Sequence, residues 1–161
     1  MIGSSAAALT GLVFVVITLV TRSGRARTRE GISTFTTPTV VHFCACLLVA
    51  SIAIAPWRLL TYPAVIIGLA GLCGVAYVGR LILRSLRLET YEPDLEDWLS
   101  YSLLPLLAYG AMLVGGIALL LAPAAALFVI AGSVLLLVFI GIHNAWDIVT
   151  YITIELTNDS R

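Results

Sequence analysis

This 161-residue chain contains no lysine at all. That excludes chemistry built on a lysine Schiff base, retinal attachment included. Charge of either sign is scarce, at 11% of residues, where a soluble domain carries about 25%. Nine basic residues balance nine acidic ones, so no large basic surface remains to hold nucleic acid, and none is expected as a partner. Cysteine is limited to Cys44, Cys46 and Cys73, all within apolar runs, which excludes a disulfide framework. Cys44 and Cys46 lack zinc-site spacing, and positions two apart on a helix point about 200° from each other. They read as small apolar fillers. There is no internal repeat of 20–50 residues and no low-complexity segment.

What is present is apolar sequence: 60% hydrophobic residues and a mean hydropathy of +1.06, with the charges confined to short blocks. This is the pattern of an all-α, polytopic integral membrane protein, and it predicts a single five-helix transmembrane bundle. The helices are expected over about 5–21, 39–56, 63–83, 98–121 and 124–146, the last with a possible cytoplasmic extension to 153. The first run lacks the basic leader and small-residue cleavage site of a signal peptide, so it is read as a span. It is also the shortest, near the lower limit for crossing. Thr36 and Thr37 can cap the second helix with Pro38 in its first turn. Pro93 with Asp94, Glu96 and Asp97 resembles a helix start, acids at the positive end of the dipole. Pro105 is expected to bend the fourth helix or free the Tyr101 carbonyl. Ala122-Pro123 leaves almost no turn, which makes helices four and five a tight antiparallel hairpin.

Five crossings place the termini on opposite sides. One side holds the N-terminus, the turn at Arg58 and Ala122-Pro123. The other holds Arg22, Arg25, Arg27, Arg29, Arg84, Arg87 and Arg161, with Arg80 just inside. The arginine bias sets that second side as cytoplasmic, with the N-terminus out and the C-terminus in. An arginine- and alanine-rich, lysine-free composition suits a GC-rich bacterial genome, so the expected location is a bacterial inner membrane. The outward face is too small for a receptor head or an extracellular enzyme.

The candidate site therefore belongs to the cytoplasmic leaflet. The last apolar run ends in Gly141-Ile142-His143-Asn144-Ala145-Trp146-Asp147, where His143 and Asp147 stand at i and i+4 on one helical face. Ionisable groups at the edge of lipid are costly and usually face protein or water. His42, one turn inside the second helix, should lie at similar depth to His143. Thr39, His42 and Cys46 share a face of that helix. A polar-to-small stripe on the fourth runs through Trp98, Tyr101, Ser102, Pro105, Tyr109, Met112 and Gly116. Arg80 is expected to pair with Asp147. The candidate ligand- or ion-binding set is His42, Arg80, Tyr101, Tyr109, His143, Asn144 and Asp147. Each has a plain structural alternative: histidines capping helix ends, Arg80 snorkelling, and Tyr101 in an interfacial belt. Gly68, Gly71 and Gly74 with Ala70, and Ala111 with Gly115, allow close helix approach within or between subunits.

These residues fit three roles. The first is an oligomeric channel or carrier with a polar site in the cytoplasmic leaflet and a lipid surround. The second is a non-catalytic accessory or assembly subunit, meeting a membrane-complex partner through its cytoplasmic loops. The third is a membrane anchor holding one haem b between His42 and His143. No nucleophile or phosphate-binding loop accompanies the His143–Asp147 pair, so no catalytic residue is assigned. The orientation has a direct test: alkaline phosphatase fused after Leu60 should be active, and fused after Arg25 or Glu92 inactive. The reverse pattern would invert the topology and remove the cytoplasmic-site argument.

Overall fold

The computed structural model describes residues 1–22, 28–85 and 99–158, which form helices and short turns with no strand among them. α1 spans Ile2–Arg22, α2 Thr28–Ile54, α3 Thr61–Ser85, α4 Leu104–Ala118 and α5 Pro123–Asn158. A π-helical turn, Leu99–Leu103, runs directly into α4. The protein is thus an all-helical bundle of the kind its composition requires. Four segments are long and apolar enough to cross a membrane: Thr37–Ile54, Thr61–Arg84, Leu99–Ala118 and Pro123–Asp147. The apolar part of α1, Ile2–Val16, is shorter.

Several boundaries differ from the expected ones, each for a local reason. α2 begins at Thr28, so Pro38 lies inside it and not at its start. A proline there removes the bond to the Thr34 carbonyl, but its ring is buried against the bundle. α4 ends at Ala118, because Leu120 and Leu121 bond back to the carbonyls of Ile117 and Ala118 at 3.2 and 3.0 Å in a tightened last turn. Pro123 then opens α5, a position that suits its fixed φ and missing N–H. No glycine or proline interrupts α5 after Gly141, and it continues to Asn158. Its 36 residues extend about 54 Å, more than the roughly 30 Å of hydrocarbon, so its last turns project past the bilayer. The acidic helix start expected at residues 93–97, together with Trp98, Arg25, Arg27 and Arg87, lies outside the described residues.

Lipid supplies no hydrophobic drive between helices, so close packing must hold the bundle. The α3–α4 interface is built from glycine. A Cβ on Gly116 would lie 2.6 Å from the Gly68 nitrogen and 3.0 Å from the Ala64 oxygen; one on Gly71 would lie 2.5 Å from the Leu113 nitrogen. These contacts are backbone to backbone. On its other side α4 packs on α5, where Gly115 receives Ile130. α5 packs in turn on α2, with the Phe43 ring over Gly141 and the Cys46 thiol 3.5 Å from the Val134 carbonyl. α1 lies along α2, Gly3 against Ala50, and α2 also touches α3. Among the described residues α3 and α5 do not meet; α4 stands between them.

The paired contacts run antiparallel. They gather the N-terminus, the α2–α3 turn and the α4–α5 turn at one end of the bundle, and the ends of α1, α3 and α5 at the other. Gly116→Ala should destabilise the detergent-solubilised protein by about 1–3 kcal/mol, because backbone cannot move aside for a methyl group. Gly132, with nothing within 4 Å of its added Cβ, is the control; its alanine variant should stay within about 0.5 kcal/mol. Equal thermal stability of the two variants would show that the α3–α4 contact is not tight.

Candidate functional site

Two polar pairs and one isolated amide occupy the end of the bundle where α1, α3 and α5 finish. The first pair is in the core. His42 on α2 and Tyr109 on α4 are each 1% exposed, with Nδ1 and the phenolic oxygen 3.0 Å apart. With the proton on Nε2, the Tyr109 hydroxyl donates to Nδ1. The rings meet at 49° with centroids 5.6 Å apart. Gly74 of α3 makes this possible, since any Cβ there would fall on the Tyr109 ring. Three helices are therefore joined through one tyrosine, seated on α3 and hydrogen-bonded to α2.

The second pair is half-exposed. His143 Nε2 and Asp147 Oδ2 lie 3.5 Å apart on α5, with side chains 39% and 41% exposed. The expected Arg80–Asp147 pair does not form: Arg80 is exposed on α3, and α3 does not adjoin α5. A bilayer edge offers headgroups and water to a snorkelling arginine, so no protein partner is required. A half-exposed contact of the His143–Asp147 kind adds little stability.

Asn144 differs from both. It is fully buried, and neither its amide nitrogen nor its carbonyl oxygen has a hydrogen-bond partner. Leaving such a group unpaired costs about 1–3 kcal/mol. The α2–α5 register, Phe43 on Gly141, sets Asn144 level with Thr39, itself fully buried. The α4–α5 register sets it level with the π turn, where Ser100 is 6% exposed. His42 lies about one turn deeper and the backbone of Tyr109 about two.

The expected set thus divides. His42 and Tyr109 come together, and Asn144 shares their end of the core. His143 and Asp147 pair with each other on a half-exposed face, Tyr101 is half-buried, and Arg80 stands apart. The two histidines do reach similar depth, as their positions implied, but they do not face a common ligand. His42 is buried, its Nδ1 bonded to Tyr109, whereas His143 is half-exposed beside Asp147, so the two rings stand in different surroundings. No group of three or more His, Cys, Asp or Glu residues suited to a metal ion occurs among the described residues. Ser100 was absent from the expected stripe because the π turn holds more residues than an α turn and rotates everything before it.

The hydroxyls that could line an outward path are already committed. Thr10, Thr18 and Ser51 donate to carbonyls four residues back at 2.7–2.8 Å. Ser133, buried, donates to Ile130 at 2.8 Å.

Comparison with protein-family models, with curated proteins and with solved structures finds no match to this chain.

Tyr109→Phe should destabilise the protein by about 1–3 kcal/mol, because it strands a buried imidazole nitrogen. Asp147→Asn should change stability by no more than about 0.5 kcal/mol, and should add simply to Arg80→Gln. Thermal melts in detergent read both. Coupling between Asp147 and Arg80 would restore the pair that the helix order separates.

Proposed function

We propose that this protein is a small bacterial inner-membrane carrier that works as a homo-oligomer. Its binding site is the buried polar layer formed by Thr39, His42, Ser100, Tyr109 and Asn144, at the cytoplasmic end of the bundle. The observation that carries this reading is Asn144, an amide sealed in the core with both polar atoms unpaired. Intramembrane polar groups of this kind are expensive, and they are kept where a solute or ion is handled. The arginine asymmetry supports placing this end in the cytoplasm.

A carrier fits better than an open channel. Beyond Tyr109 the α3–α4 interface closes on backbone at Gly71, Gly68 and Gly116, and the nearby hydroxyls bond to their own helices. A continuous pore needs polar lining along its length, whereas a carrier needs polar groups only at its site. The oligomer is supported by Gly11, Gly79 and Gly110, which have nothing of the described bundle within 4 Å of an added Cβ. Outward glycines permit close helix approach between copies.

Reconstitution into liposomes tests the proposal. Uptake of small solutes, screened as neutral, cationic and anionic sets, should exceed that of protein-free vesicles, saturate with concentration and fall in Tyr109→Phe. No uptake, together with a membrane protein that co-purifies in fixed ratio, would replace the carrier with the accessory-subunit role.

A further inference from the structure

Among the described side chains, the polar layer holds no carboxylate, guanidinium or ammonium group. Among the described side chains outside the layer, the ionisable groups nearest this end are Arg80, Arg84, His143 and Asp147; within it, the His42 imidazole is bonded to the Tyr109 hydroxyl through Nδ1. The arginines are exposed, and the His143–Asp147 pair sits on a half-exposed face. Thr39, Ser100, Tyr109 and Asn144 contribute only hydroxyl and amide groups. Among the described side chains a buried ion would find no countercharge there, and an uncompensated charge in such surroundings is costly. A neutral ligand meets no such cost.

Asn144 narrows the choice further. Its unpaired atoms are one acceptor, Oδ1, and one nitrogen carrying two donors, held side by side in a plane. A single small group satisfies both when it presents a donor and an acceptor in the reverse order. A primary amide does so, and so does urea: its N–H donates to Oδ1 while its oxygen accepts from Nδ2. Resting on the reading of this layer as a binding site, we infer that its ligand is an uncharged molecule bearing a carboxamide or urea group, paired face to face with Asn144. The π turn Leu99–Leu103 is the place of entry. It lies level with Asn144, departs from regular i to i−4 bonding, and precedes a proline that cannot donate to the turn before it.

The test uses the full-length protein in detergent, with four probes of matched shape: acetamide and urea, which are neutral, and acetate and guanidinium, which are charged. Saturation-transfer NMR at low millimolar concentration should detect acetamide and urea and show mutual competition, with no competable signal from the charged pair. Asn144→Leu, close in volume, should weaken acetamide binding at least about tenfold through the loss of two hydrogen bonds. The same substitution should leave the melting temperature unchanged or higher, because it removes an unpaired buried amide.

Unaltered acetamide binding in Asn144→Leu would overturn the inference, as would charged probes that bind as well as the neutral ones. A fall in melting temperature of more than about 3 °C, with no probe binding to the wild type, would show that a buried water or a protein group serves Asn144, and would also overturn it. If Asn144→Leu does not fold, Asn144→Ser is read in its place: it keeps a hydroxyl but cannot form the paired contact, so the same tenfold loss is expected. Amide binding without uptake into liposomes would remove the carrier and leave this site. Uptake without amide binding would remove this ligand class and leave the carrier.

Discussion

Much of the bundle depends on where a tyrosine can put its hydroxyl. Tyr109 is rooted on α4, rests its ring in the space left by Gly74 of α3, and meets His42 of α2 at 3.0 Å. In lipid, a phenol and an imidazole without partners would each oppose the packing of their helices. Joined, they link helices that the glycine contacts alone would leave loosely related. α2 and α4 are not close neighbours along their axes, so this side-chain bridge spans the gap between them. The mutual dependence is local. Without Gly74 the ring has no seat, and without His42 the hydroxyl has no partner.

Most of the fold was legible in the sequence, because membrane helices are written in long apolar runs and their ends in arginine, proline and aromatic residues. Gly68, Gly71 and Gly74 were readable as a close-approach surface, though not the helix that fills it. Depth was readable too: His42, His143 and Asn144 lie near one end as their distances from the span boundaries imply. Azimuth was not. Depth along a helix follows from counting residues, but facing depends on how each helix is rotated against its neighbours. That is why Arg80 and Asp147, close in depth, are separated by the thickness of α4. It is also why His143 turns to Asp147 and not towards His42.

The π turn before α4 shows the same limit more sharply. A 3–4 spacing assumes 3.6 residues per turn throughout, and one wider turn breaks the count. Downstream of the break the stripe holds, with Pro105, Tyr109, Met112 and Gly116 all buried. Upstream, Ser100 replaces Tyr101 and Ser102 as the buried position. Pro105 was the visible sign that the helix would be irregular there; the size of the rotation was not written in the sequence.

The glycine contact between α3 and α4 bears on how this molecule can move. Interfaces lined by long side chains absorb a small slide by exchanging rotamers. An interface of backbone against backbone has no rotamers to exchange, and sliding would drive peptide atoms into one another. α3 and α4 are therefore best regarded as one stiff plate. The opposite flank of the core meets through side chains, among them Phe43, Cys46, Val134 and Leu137, which can repack. Stiffness and compliance are thus distributed over different helices, with the buried amide of Asn144 on the more compliant side.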